Sequence, residues 1–146
     1  MERIKSLKFE NKQYTEPVII NNLLLKNGFN WLNLAEIENA ILEIKKDKLY
    51  WHSGIWYYGD WNYGIWLDGV FKYGNWYDGV WYNGVFQNGT WHNGIWMNGV
   101  FEDGIFKDGE FRDGIKKGGS FEKELNEFEG IEENLKVLKF IDYNKK

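Results

Sequence analysis

The sequence predicts a mainly β protein built on a five-residue repeat. Three observations lead there. From Trp51 to Phe121 a Trp or Phe recurs at every fifth position, broken only at Lys116. Gly stands three residues after each, from Gly54 to Gly119, and Asn or Asp usually precedes it. The residue before each ring is often Val or Ile. Asn-Gly and Asp-Gly are strong turn signals, because both residues tolerate positive φ. Val, Ile, Trp and Phe favour strands. A turn every five residues leaves no room for helices.

Several pairings of such short rungs are compatible with the pattern. Two-residue turns joined by three-residue strands fail, since neighbouring residues in a strand point their N–H and C=O groups to opposite sides. The preferred repair is an antiparallel meander in which each turn is a three-residue loop with Gly in the bulge position. Trp81 then lies opposite Val85, and rings alternate between faces. A variant alternates tight and wide turns and puts all rings on one face. The alternative architecture is a pentad β-solenoid, with Gly leaving interior room for rings from other sides of the coil. Gly-Val-Phe recurs at 69–71, 84–86 and 99–101, spaced by three pentads, as either a three-sided coil or a duplicated gene segment would give. In any form, rings half-buried on a flat ribbon do not offset the entropy of ordering the chain. Curling, end segments or another copy must cover them.

The tract divides the chain into an N-terminal α/β cap over 1–50, the aromatic-Gly repeat over 51–121, and an acidic segment with a C-terminal cap over 122–146. Ile4–Phe9 reads as a strand. Over 31–44, Leu34, Ile37, Ile41 and Ile44 fall on one helical face, with Asn33 and Glu36 placed to cap its start. The preferred reading is a helix to about Glu43. The rival is a strand over Ala40–Lys45 that turns at Lys46-Asp47 into Leu49–Trp51. Residues 122–134 carry six Glu and read as a solvated segment. Leu135–Tyr143 reads as a closing strand or helix that caps the repeat.

Composition narrows the function. Aromatics are 19% of the chain, with nine Trp, and the net charge is −4. That balance offers no general attraction for nucleic acid or anionic lipid. Cysteine is absent, which excludes disulfides and thiolate metal sites. MERIKSLKFENK contains no apolar run of signal-peptide type, and no stretch approaches the ~18 apolar residues of a membrane span. The expected location is the cytoplasm or a particle assembled there.

Tyr57-Tyr58-Gly59-Asp60-Trp61-Asn62-Tyr63-Gly64 resembles the Y-x-G-x-W-x-x-G core of MORN repeats. MORN units are about 23 residues long and carry further glycines that are not found here. The pentads also resemble aromatic-Asn-Gly repeats of bacteriophage and bacterial proteins. The first resemblance implies a noncatalytic β-scaffold that binds proteins or lipids. The second implies a virion or accessory component.

Residues of catalytic or metal-binding type are few. His52 and His92 lie eight repeats apart, too far for a shared site in a meander. Asp103, Asp108 and Asp113 have the oxygens calcium needs, but successive meander turns separate them, and they are ordinary turn residues. Asn88-Gly89-Thr90 matches a glycosylation sequon and reads as a turn. Lys107, Arg112, Lys116 and Lys117 lie beside Phe106 and Phe111, a combination that can hold single-stranded nucleic acid; the intervening acids nearly cancel it. No P-loop, GxGxxG, HExxH or GxSxG is present.

The aromatic series has two readings. Core packing is the preferred one. The other makes Trp76, Trp81, Phe86, Trp91 and Trp96 a binding surface. The function expected is a noncatalytic scaffold working through contact with protein, its own copies included, with no cofactor, no metal and no nucleic acid. The alternative is a carbohydrate-binding module that stacks sugars on exposed Trp rings.

Overall fold

The computed structural model describes residues 2–122. The tract is a parallel β-solenoid, the alternative of the two architectures. Val80-Trp81 pairs in parallel with Ile65-Trp66 before it and Ile95-Trp96 after it. Each coil therefore takes 15 residues, or three pentads. The pairing of Trp81 with Val85 is not formed. Hydrogen bonds run along the coil axis instead. Val80 N–H donates to the Gly64 carbonyl (3.0 Å) and Tyr82 N–H to the Trp66 carbonyl (2.8 Å).

The coil is preferred because it encloses the rings. Three columns of side chains point inward. The first holds Trp51, Trp66, Trp81, Trp96 and Phe111, and the third Trp61, Trp76, Trp91, Phe106 and Phe121. The second holds Trp56, Phe71, Phe86, Phe101 and Lys116. Within a column rings stack nearly parallel, as Trp76 and Trp91 do at 4.7 Å and 5°. That spacing is the ordinary distance between neighbouring strands. Between columns they meet edge to face, as Trp76 and Trp81 do at 76°. Both arrangements suit the ring quadrupole. A meander would leave one side of every ring uncovered.

Gly79 shows why the corners need glycine. Its φ is +121°, and a Cβ there would be driven into the Gly64 carbonyl oxygen one coil below. The room that glycine leaves is thus for backbone stacked along the axis, rather than only for rings as the solenoid reading expected. Asp78 Oδ1 accepts the Gly79 N–H (2.8 Å) and Asn88 Oδ1 that of Gly89 (2.8 Å), so the preceding side chain closes the corner.

The N-terminal cap begins with β1 (Ile4–Phe9), as the sequence predicts, and β2 (Lys12–Tyr14). Helix α1 spans Pro17–Lys26 and buries Ile20 and Leu24. The sequence reading missed it, although Pro17 at its first turn is a recognised start signal. A 3₁₀ turn covers Asn30–Leu34. Burial lowers the pKa of the Arg3 guanidinium, which donates to the Leu32 (2.8 Å) and Ala35 (2.9 Å) carbonyls and ties this turn to β1.

The helix preferred over 31–44 is not formed. Strand β3 (Glu36–Lys45) turns at Lys46-Asp47 into β4 (Lys48–Tyr58), the antiparallel rival reading. Asn39, at φ +55°, bends β3 where β4 bends at Gly54. The irregularity shifts the alternation by one, so that Ile37, Ala40, Leu42 and Ile44 are buried, while Ile41, assigned to the helical face, is only half-buried. Leu34, assigned to the helical face, is 84% exposed. Strand β3 closes the first coil along two sides, and Trp31 covers Trp61 edge-on at 5.3 Å on the third. The C-terminal cap expected within 122–146 lies, beyond Glu122, outside the described residues.

Candidate interaction surface

Trp76, Trp81, Phe86, Trp91 and Trp96 are brought together, but inside: each is 0% exposed. The stacking platform they would offer to a sugar is therefore not on the surface. Their role is the preferred one, core packing. Burial leaves the indole Nε1 of Trp76, Trp81, Trp91 and Trp96 with no nitrogen or oxygen acceptor. The Trp81 and Trp96 nitrogens lie beside the corners at Gly99 and Gly114.

The surface is made by the residues on either side of each ring, which point outward because side chains alternate along a strand. The three faces differ. The first carries Ile65, Val80 and Ile95 in one row and Leu67, Tyr82 and Met97 in the next. These residues are half-buried except Tyr82, which is 46% exposed. Polar contacts bound this apolar strip at both ends, a hydrogen bond at one and an ion pair at the other. His52 meets Glu43 at 2.9 Å, and Arg112 meets Glu110 at 2.9 Å.

The second face pairs an apolar row of Ile55, Val70, Val85, Val100 and Ile115 with a polar row that includes Lys72, Gln87, Glu102 and Lys117. Lys72 Nζ lies 5.5 Å over the Tyr57 ring, and Tyr57 donates its hydroxyl to Glu38 (2.7 Å). That hydrogen bond, with smaller contributions from desolvation and the carboxylate charge, raises the Tyr57 pKa.

The third face is polar. Asn75 Nδ2 donates to Asp60 Oδ1 (3.0 Å), which turns the Asn75 oxygen toward His92 Nε2 at 3.1 Å. Nε2 must then carry the proton in the neutral ring. His92 stacks on Tyr77 at 4.5 Å and 16°. Its pKa is lowered, first by burial and then by Lys107, while Asp60 opposes the shift.

These placements separate the residues of chemical interest. His52 belongs to the first face and His92 to the third. Asp103, Asp108 and Asp113 close corners that belong to different edges of the prism, each accepting its neighbouring Gly N–H at 2.7–2.8 Å. Among the described residues, no group of three His, Cys, Asp or Glu is placed to hold a metal ion. Asn88, in the sequon, is such a corner residue. The basic cluster is dispersed as well. Arg112 points out from the first face, Lys117 from the second and Lys107 from the third. Lys116 occupies a ring position, 8% exposed, with its pKa lowered by desolvation against the opposing pull of Asp103.

The stretch that resembles MORN repeats is where the first coil meets the cap. Tyr63 donates its hydroxyl to the Gly28 carbonyl (2.9 Å), and Tyr58 stacks on Tyr73 at 5.7 Å. Among the described residues, no helix is long and apolar enough to cross a membrane. The apolar strip on the first face was missed by the sequence reading. Its signal is present every third pentad, in Ile-Trp-Leu, Val-Trp-Tyr and Ile-Trp-Met, and emerges once residues are sorted by 15. No family model matches the chain, and neither a curated protein nor a solved structure matches it.

Proposed function

We propose that the protein is a noncatalytic β-solenoid scaffold that works by surface contact with protein, its own copies among the partners, within a larger assembly. The observation that carries this reading is the contrast between the faces. A rigid ring-filled prism presents a continuous apolar strip on one side, from Ile65 to Met97, and hydrogen-bonded polar residues on another. A contiguous apolar patch with a charged rim is the usual mark of a protein contact site. The resemblance of the pentads to phage and bacterial repeats adds a setting, a virion or accessory component.

The test is chemical cross-linking of the full chain in the cells that make it, with the linked lysines mapped by mass spectrometry. Reproducible links to copies of the chain or to one defined protein support the scaffold. A chain that links to nothing, yet whose Trp emission changes on titration with oligosaccharides, would replace the scaffold by the carbohydrate-binding reading.

A further inference from the structure

We infer that the first face is the seat of a second copy of this chain, with the two solenoids side by side about a two-fold axis parallel to their coils. The inference rests on the scaffold reading and names its partner. The apolar strip of Ile65, Leu67, Val80, Tyr82, Ile95 and Met97 is self-complementary, since its two rows are apolar throughout. A two-fold axis along the coil sets one row on the other: Ile65 meets the partner's Leu67, Val80 the partner's Tyr82, and Ile95 the partner's Met97. An isologous contact of this kind closes on itself.

The charges at the rim choose between the two ways of pairing such a strip. With the coils parallel, Glu110 faces the partner's Arg112 and Arg112 faces the partner's Glu110. The two internal pairs, each 2.9 Å long with half-exposed side chains, become one network of four charges with opposite signs opposed. With the coils antiparallel, the first coil of one copy lies on the last coil of the other. Arg112 then faces the partner's His52, and Glu110 faces the partner's Tyr50. There each ion meets an opposite charge only outside its own row: Arg112 at the partner's Glu43, whose carboxylate the His52 ring already holds (2.9 Å), and Glu110 at the partner's Lys45, which lies over the Tyr50 ring (5.5 Å). Pairing of opposite charges fixes register more than it adds affinity.

The size of the strip sets the strength. Its three apolar rungs, with the polar rung at each end, make five at ~4.8 Å spacing, roughly 24 Å long and one short strand wide. That is smaller than a standard interface of ~800 Å² per partner. The expected dimer is weak on its own, with a dissociation constant of about micromolar or above. It becomes persistent where an assembly holds many copies together.

The experiment is sedimentation equilibrium of the full chain, with circular dichroism to confirm the fold of each variant. The wild type is expected to show a monomer–dimer equilibrium. Val80→Lys, which changes an outward side chain in the middle of the strip, is expected to weaken it at least tenfold. Thr90→Lys on the third face is expected to leave it unchanged. Glu110→Arg is expected to weaken it and Glu110→Arg with Arg112→Glu to restore it. A wild type that is monomeric at every concentration overturns the inference and leaves the scaffold to a different protein partner. A dimer indifferent to Val80→Lys overturns the choice of face and leaves self-association standing. A dimer that Val80→Lys breaks but the double charge swap does not restore overturns the parallel arrangement.

Discussion

Trp66 and Trp81 lie one coil apart with ring centroids 4.8 Å from each other and planes within 5°. Each is also met edge-on by rings of the other two columns, Trp81 by Phe86 at 6.0 Å and 71°. The core is thus a lattice of one contact type along the axis and another across it. Its regularity comes from the backbone, because the spacing of stacked rings is the spacing of paired strands.

Removing one ring from this lattice leaves a hole that backbone on three sides cannot close. Trp81→Ala is expected to cost about 3–5 kcal/mol, the range for large-to-small aromatic changes in cores. Trp81→Phe is expected to cost much less. Phe86 fills the equivalent place in the next column with 0% exposure, and the change removes an indole N–H that has no nitrogen or oxygen acceptor. Urea denaturation of both variants checks the order. Equal losses would mean that ring size in that column is not set by packing.

Glycines at positive φ are expected to differ according to what lies against them, a repeat corner such as Gly79 against Gly28 in the cap. At Gly79 both the positive φ and the Gly64 carbonyl oppose a side chain. Gly79→Ala is therefore expected to destabilise by about 3 kcal/mol or more, strain and overpacking together. At Gly28 the φ is +87° but an added Cβ would meet only the Tyr63 hydroxyl, at 3.6 Å. Gly28→Ala is expected to cost about 1 kcal/mol, the conformational part alone. Thermal melts of the pair give the comparison, and similar shifts would remove backbone proximity as the reason for glycine at corners.

His92 gives the pH dependence a sign. Its pKa in the folded chain lies below the ordinary value of 6.5, with burial as the first cause. The unfolded chain then takes up a proton more readily, so stability is lost as pH falls through 6.5 toward the folded pKa and is complete above that range. His92→Gln is expected to flatten this part of the stability–pH curve. Proton NMR titration of the imidazole, read beside urea melts across the range, tests both statements. A His92 that titrates above the unfolded value would reverse the sign.

The sequence made the β class, strand β1 and the ring period legible, since each rests on local pattern. The direction of strand pairing was less accessible. Trp81 opposite Val85 and Trp81 opposite Trp66 both satisfy the same turn chemistry. What separates them is enclosure of the ring, which no local window contains. The 15-residue recurrence of Gly-Val-Phe did record the coil. It marks the second column, where Phe71, Phe86 and Phe101 replace Trp. Strand β3 was misread because the bend at Asn39 breaks its two-residue alternation, and the apolar Leu34 and Ile41, neither of them buried, complete a helical spacing with Ile37 and Ile44. The outward strip on the first face was hidden behind the louder aromatic signal beside it.

The N-terminal cap carries load that the repeat cannot carry for itself. Trp31 shields the third side of the first coil by its contact with Trp61. Trp31→Ala is expected to expose that indole, shift Trp emission to the red and raise the tendency to aggregate at low denaturant. Light scattering and fluorescence of the variant check it, and unchanged emission would place the shielding elsewhere in the cap.

The interior and exterior of this prism count to different numbers. Inside, any pentad from Trp51 to Phe111 is interchangeable with the next, for every fifth residue there supplies a ring. Outside, identity returns only after 15 residues, because that is one full circuit. Insertion or loss of a single pentad would therefore leave the filling intact while rotating everything downstream by a third of a circuit, carrying Ile95 and Met97 away from beneath Val80 and Tyr82. Lineages of such chains are free to lengthen by any number of pentads as folded objects, but only by whole circuits if the side they show to the world is to stay the same.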